Sequence, residues 1–366
     1  MLPSALRTLL KQVSRSFYLS VRVLPASVQY PVGLGYLLAR AADSIADTPV
    51  LPAVDRRALL QYLAQAAAGE PQTTQPLFAR LQSARLCEAV SSSTPTAQAE
   101  ARLLASLPQC LSLLAALPTE DQRLVRRVLD QLTQGMIRDL ERFPCADQAV
   151  PPEQVVALAT HDALDEYCYF AAGCVGEFWT DLTAAHVPGL AGLCAPELRQ
   201  RGVALGKALQ LVNVVRDAVS DLRIGRCYWP TELLSPHGLS PQRLAELAQG
   251  REPSQAERVA LIAVTRALCD NAAGLCQQAW PYVLAIPASR VRLRLACVWP
   301  LLLALDTLSA LRAVGCPILL PLQPVKVPRS QVYGLLWESS GAAVADRLLG
   351  STRLDGVFAA HAMAQN

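Results

Sequence analysis

The chain is poor in aromatics, charge, histidine and lysine. Aromatics make up 5% of its 366 residues, Asp, Glu, Lys and Arg together 17%, and the net charge is +3. A balance that close to neutral gives no electrostatic footprint for nucleic acid, so no nucleic-acid partner is expected. Only four histidines occur, at positions 161, 186, 237 and 361, and no C-x-x-C is present, which excludes zinc-site spacing. A G-x-G-x-x-G turn is absent, as is any strand-rich stretch, which argues against a dinucleotide-binding βαβ domain. No fixed-period repeat is visible, so a helical solenoid is not expected. No uninterrupted apolar run reaches the ~20 residues of a spanning helix. The nearest, ACVWPLLLAL at 296–305, is bounded by Arg294 and Asp306. The N-terminus MLPSALRTLLKQVSRSF has no long apolar core, so no signal peptide is expected.

What the chain does have is apolar, helix-forming sequence. Hydrophobic residues make up 52%, dominated by Ala and Leu, and the mean hydropathy is +0.25. Three- and four-residue apolar spacing predicts helices over 4–20, 32–47, 54–68, 97–116, 119–143, 152–181, 196–222, 241–249, 254–284, 289–312 and 329–348. Breaks fall at Pro and Gly clusters, and residues 69–96 read as an irregular surface connection. These breaks resemble turns between antiparallel helices, so the expectation is one all-α domain over 1–366. Eleven scattered cysteines read as buried thiols in a reducing cytoplasm. With so greasy a composition, peripheral membrane contact stays open. The basic residues are nearly all Arg, whose fork matches phosphate oxygens.

The polar residues that interrupt this apolar background are patterned. QLVNVVRDAVSDLRIGRCYWP at 210–230 sets Asn213, Asp217 and Asp221 four residues apart, with Gln210 close to their line. YLLARAADSIAD at 36–47 carries a second D-x-x-x-D, Asp43 and Asp47, with Arg40 about one turn before. This spacing occurs nowhere else in the chain. Carboxylates on an apolar helix face repel one another and lose hydration unless a cation offsets both effects. Mg²⁺ is bound through one or two carboxylates, keeps several waters and completes its shell with substrate phosphates. Two such helices facing each other would clamp a diphosphate, the metal neutralising charge on the departing group. An apolar cavity would then shield a carbocation from water.

These blocks together resemble the squalene/phytoene synthases, head-to-head prenyl transferases. The resemblance runs from SRSFYLSVRVLP (14–25) through YLLARAADSIAD, QGMIRDL (134–140) and DEYCYFAAGCVG (165–176) to LVNVVRDAVSDLRIGRCYWP (211–230). It covers about 10–310, with a C-terminal helical extension beyond. It implies an isoprenoid-synthase-type helical bundle around a central apolar cavity, Mg²⁺ as cofactor and two farnesyl diphosphates as substrates. By the same resemblance, Arg15 contacts diphosphate and Tyr36 and Arg40 precede the first acids. Tyr167 faces the reaction centre, and Gly173 and Gly176 permit close helix approach or leave room for substrate. Asp43, Asp47, Asp217 and Asp221 hold metal. Asn213 joins Asp217 and Asp221 at the second metal set, and Gln210, Asn213, Arg216 and Arg226 bind substrate, the two arginines near phosphate. Ala46 and Thr48 stand where squalene synthases carry further acids, and Ser220 where an acid is common.

The acids do not choose the product. In the family, two prenyl diphosphates first form a cyclopropyl diphosphate. Squalene formation then takes hydride from NADPH, whereas the phytoene and dehydrosqualene outcomes lose a proton. Tyr228-Trp229-Pro230 resembles the aromatic-Trp-Pro of squalene enzymes. PVKVPRSQVYGLL (324–336) resembles their cofactor-linked basic segment, which implies NADPH contact at Lys326 and Arg329. Pro328 replaces an Arg of that segment. The resemblance favours squalene synthase, with dehydrosqualene or phytoene synthase as the alternative.

Overall fold

The computed structural model describes residues 2–14, 17–83, 94–143, 149–314, 328–349 and 353–363, which are helical almost throughout. They divide into two compact units, Met1–Pro144 with Phe178–Gly192, and Cys145–Glu177 with Leu193–Asn366.

The first unit contains α1 (Ser4–Val13), α2 (Phe17–Arg22), α3 (Ala26–Ala46), α4 (Ala53–Ala68), α5 (Pro71–Ser83), α6 (Pro95–Ala105), α7 (Leu107–Ala115) and α8 (Thr119–Arg142). Its core is α3. Leu34, Leu37, Leu38, Ala41, Ala42 and Ile45 are fully buried, because apolar residues occupy nearly every side of the helix. α4, α7 and α8 pack around it, α8 through the one-sided series Leu124, Val125, Val128, Leu129 and Leu132. α3 stops at Asp47, just before Thr48-Pro49, where proline disfavours helix in the residue ahead of it.

The second unit contains α9 (His161–Cys168), a π-helical turn (Tyr169–Gly173) and α10 (Cys174–His186), whose first residues belong here and whose residues from Phe178 belong to the first unit. Next come α11 (Pro196–Arg216), α12 (Ala218–Arg223), α13 (Thr231–Leu234), α14 (Pro241–Ala248), α15 (Gln255–Ala285), α16 (Val291–Val314), α17 (Arg329–Leu349) and α18 (Arg353–Met363). α11 lies against α15, α16 and the π-helical turn. Glycines set that last approach. A Cβ at Gly176 would stand 2.1 Å from the Gly202 carbonyl oxygen, and one at Gly206 2.2 Å from that of Ala172. α15 opens with a reciprocal cap, in which the Ser254 hydroxyl accepts from the Glu257 amide and the Glu257 carboxylate accepts from the Ser254 amide.

Several expectations need correction. The run 4–20 is two helices with a break after Val13. Residues 71–83, read as irregular, are helical despite Pro71 and Pro76. The run 152–181 begins only at His161. Before it come a 3₁₀ turn (Pro152–Gln154) and a two-residue strand, β1 (Val156–Ala157), pairing in parallel with β2 (Arg226–Cys227). A last helix, α18, lies beyond the last predicted run, 329–348. The run 196–222 is interrupted at Asp217.

Gln255–Ala285 and Ala288–Ala313 are long and apolar enough to cross a membrane, although half or more of each apolar window is buried within the protein. The described cysteines form no disulfide, and burial pushes the Cys168, Cys227 and Cys276 thiols up to about 12.

Candidate active site

In the first unit, Tyr36, Arg40, Asp43 and Asp47 follow one another along the C-terminal half of α3 at three- and four-residue steps. The Tyr36 hydroxyl donates to the Val13 carbonyl at 3.3 Å, tying α3 to the end of α1 just ahead of the S-R-S-F motif. Arg40 reaches two acids. It pairs with Glu100 on α6, and its Nη1 lies 3.6 Å from Asp43 Oδ2. Asp43 is pushed up to about 7 by burial and by the charge of Asp47, against the opposing pull of Arg40. The 41% of its side chain open to solvent tempers that rise. Below the acids, Arg56 is 1% exposed, and its Nη1 donates to the Ala46 carbonyl at 2.7 Å. A buried guanidinium thus closes the C-terminal end of the acid-bearing helix, where partial negative charge accumulates.

In the second unit, Asp217 sits at the joint between α11 and α12 with φ −96° and ψ 7°. The hydrogen-bond ladder carries through the joint, Asp217 N–H to Asn213 O at 2.8 Å and Asp221 N–H to Asp217 O at 3.1 Å. Asn213, Asp217 and Asp221 therefore still stand on successive turns. Arg216 grips Asp217 with two bonds, Nε to Oδ1 at 2.8 Å and Nη2 to Oδ2 at 2.6 Å. One turn back, Asn213 Nδ2 donates to Gln210 Oε1 at 3.4 Å, and Gln210 Nε2 donates to the Tyr167 hydroxyl at 3.0 Å. The Tyr167 ring stacks on Tyr228, with centroids 4.2 Å apart and planes 26° from parallel. Arg226 lies on β2. It lines a small crevice with Asp221, Tyr228, Trp229 and the apolar side of α12. Lys207, one turn before Gln210, ion-pairs with Asp165 at 2.6 Å.

The structure brings Tyr167, Gln210 and Asn213 into one hydrogen-bonded chain, Arg216 onto Asp217, and Arg40 onto Asp43. Arg15 and Lys326 lie outside the described residues. Arg329 begins α17, and its side chain lies outside them too. Three neighbours went unrecognised. Glu100 reads as an ordinary acid on a polar helix face, with its partner 60 residues away. The stack of Tyr228 on Tyr167 is hidden by a 61-residue gap in sequence, although its Y-W-P motif stood out. Lys207 was notable only as one of three lysines.

Among the described residues no three His, Cys, Asp or Glu side chains gather as a metal cage. Each half instead offers two hard carboxylates one turn apart, partly open to solvent, with Arg beside them. That donor set suits Mg²⁺, which takes few protein ligands and leaves positions for water and phosphate. Asp43 and Asp47 would hold it on α3, Asp217 and Asp221 at the α11–α12 joint.

Comparisons with known proteins give the family and the fold. The squalene/phytoene synthase family model matches residues 10–331. The bifunctional lycopene cyclase/phytoene synthase of Neurospora crassa is 29% identical over 76% of this chain, and the chain spans 43% of that protein. A phytoene synthase of Pseudescherichia vulneris is 32% identical over 42% of this chain and 41% of its own length. The chain thus spans less than half the length of these curated relatives. Among solved structures, a TcSQS complex covers 99% of this chain and 97% of its own at 17% identity, with a TM-score of 0.67. A dehydrosqualene synthase complex covers 94% and 96% at 19% identity, with a TM-score of 0.57. At those identities the likeness is one of fold, and the fold is the all-α isoprenoid-synthase type. The motif order, the two acid pairs and the family match make this chain a member of the squalene/phytoene synthase family of head-to-head prenyl transferases.

Proposed function

We propose that this chain joins two farnesyl diphosphates into a cyclopropyl diphosphate and rearranges that intermediate to squalene, with Mg²⁺ at the acid pairs and hydride from NADPH. The observation that carries the reading is the Asn213–Gln210–Tyr167 chain ending in the Tyr167–Tyr228 stack. An aromatic pair offers π faces to a carbocation. Gln210 donates to the Tyr167 hydroxyl oxygen, which holds in place the group that would handle a proton. Bound Mg²⁺ supplies charge neutralisation on the diphosphate, and Arg40 and Arg216 supply further positive charge beside each acid pair. Support for squalene comes from the Tyr228-Trp229-Pro230 ending and the basic segment around Lys326. We place the reaction in a reducing cytoplasm, in keeping with described cysteines that form no disulfide.

The second reading, phytoene or dehydrosqualene synthase, is favoured by the curated relatives, several of which are named phytoene synthase. Incubation of the purified chain with farnesyl diphosphate and Mg²⁺, with and without NADPH, separates the two. Squalene formed only with NADPH is the expected result. The same hydrocarbon at the same rate in both reactions would move the chain to the second reading, as would turnover of geranylgeranyl diphosphate in preference to farnesyl diphosphate.

A further inference from the structure

Arg40 is shared between two carboxylates on two helices. Its Nη2 pairs with Glu100 on α6, which packs on α3. Its Nη1 lies 3.6 Å from Asp43 Oδ2, beyond hydrogen-bond length. The side chains of Arg40 and Glu100 are 25% and 20% exposed, so water and salt screen this pair less than an ion pair on the open surface. Arg40 Nε–H is buried and has no acceptor among the described residues, a penalty that a phosphate oxygen would relieve.

The second acid pair is held differently. Arg216 places Nε and Nη2 on Asp217 itself, at 2.8 and 2.6 Å. A guanidinium seated in that way occupies the lone pairs that a cation would use. At Asp43 a further carboxylate competes for the arginine. One guanidinium then stands among three carboxylates, Glu100, Asp43 and Asp47, and a net negative charge faces any cation that reaches the end of α3. Without Glu100, Arg40 Nη1 would need to move only about 1 Å to close on Asp43 as Arg216 closes on Asp217.

We propose that Glu100 is a positioning residue for the α3 acid pair. By engaging Arg40 it keeps the guanidinium from closing on Asp43. Asp43 and Asp47 stay open to a divalent cation, and Arg40 stays beside them to meet the oxygens of a diphosphate. This role rests on the metal reading of the acid pairs and does not depend on which hydrocarbon is made.

Mn²⁺ titration of the substrate-free full chain, followed by electron paramagnetic resonance, tests it. Asp217→Asn is the common background, so that the signal reports the α3 pair. Physiological salt, with a Debye length of about 8 Å, limits the direct field of distant charges. Glu100→Gln should weaken Mn²⁺ binding about tenfold, because the freed guanidinium competes for Asp43 and one negative charge is lost. Glu100→Asp, which keeps the charge, should recover most of the affinity. Arg40→Gln should bind Mn²⁺ at least as tightly as the background. Once Arg40→Gln is present, adding Glu100→Gln should weaken binding no more than about threefold, the share due to charge alone. Unchanged Mn²⁺ affinity in Glu100→Gln overturns the proposal, and a lower melting temperature would then mark the pair as a tie between α6 and α3. An equal loss with and without Arg40→Gln overturns it too, since Glu100 then acts on the cation directly. So does a background that binds no Mn²⁺ while the parent does. If neither binds Mn²⁺, the metal reading itself fails and takes the proposal with it.

Discussion

Burial and the charge of Asp47 lift Asp43 from an ordinary 3.8 towards about 7. A carboxyl whose folded value is raised binds its proton more tightly in the native state, so its contribution to stability shrinks as pH rises from about 3.8 to about 7. The helix thus bears a cost for carrying this pair ionised, and a divalent cation offsets it. Asp43→Asn removes the cost and the metal donor together. Asp43→Asn and Asp217→Asn should each lower turnover more than about 10²-fold, while melting temperature holds or, for Asp43→Asn, rises. Mn²⁺ titration followed by electron paramagnetic resonance should show weaker binding in both. Full turnover of both variants at saturating Mg²⁺ would remove the acid pairs from the mechanism. Tyr167 divides differently. Its ring stacks on Tyr228 while its hydroxyl accepts from Gln210, so Tyr167→Phe keeps the packing and loses the hydrogen bond from Gln210. Stability should fall by no more than about 1.5 kcal/mol. Turnover should fall at least about 10²-fold if the hydroxyl handles a proton, the low end of general acid–base effects. A variant that melts well below the parent, yet turns over normally once stabilised, would mark Tyr167 as a packing residue.

The elements that hold these side chains depend on two close backbone approaches. The π-helical turn and the first turn of α10 bring Ala172 and Gly176 against Gly206 and Gly202 of α11, and Gln210 follows one turn after Gly206. The atoms a new Cβ would strike are backbone oxygens, which cannot swing aside as a side chain can. Gly176→Ala and Gly206→Ala should each destabilise the protein by about 3 kcal/mol, the upper end for overpacking. Prising α11 from the turn should also lengthen the Gln210–Tyr167 bond. Urea unfolding and a crystal structure of either variant check this, and unchanged denaturation midpoints would mean that the contact yields easily. Gly176 was legible as a close-approach residue because it stands in a motif, whereas Gly206 lies in ordinary helical sequence and gave no sign. The π winding of Tyr169–Gly173 was hidden too, since one extra residue in a turn leaves the apolar spacing nearly intact. β1 and β2 span two residues each, too few to show a period of two. α5 was missed because Pro71 and Pro76 read as breakers. Pro71 opens the first turn, where proline fits, and Pro76 is tolerated further in.

Across the whole molecule the chemistry is dispersed. Acids near residues 43 and 217, a tyrosine at 167 and its stacking partner at 228 come from α3, the α11–α12 joint, α9 and the residue after β2. What made these scattered residues legible is contrast. In a chain with 17% charge, a carboxylate inside an apolar run stands out, and the same spacing occurring twice stands out further. Pairings set by tertiary contact, such as Arg40 with Glu100 or Lys207 with Asp165, carry no such contrast. The same reasoning reaches Lys326, one of three lysines, in the basic run that leads into α17. Its proposed partner is a phosphate of NADPH, and the first condensation needs no hydride. Lys326→Ala should therefore leave consumption of farnesyl diphosphate close to the parent rate while the second step slows. The expected signature is build-up of the cyclopropyl diphosphate, or diversion to non-reduced hydrocarbons, at limiting NADPH. One lost charged hydrogen bond corresponds to about 1.5–3 kcal/mol, so apparent NADPH affinity should drop roughly 10- to 100-fold, with squalene restored at high cofactor. Lys326→Arg, which keeps the charge, should retain most of the affinity. If Lys326→Ala instead slows both steps equally and added NADPH changes nothing, Lys326 serves the fold or the diphosphate, and the hydride donor binds elsewhere on the chain.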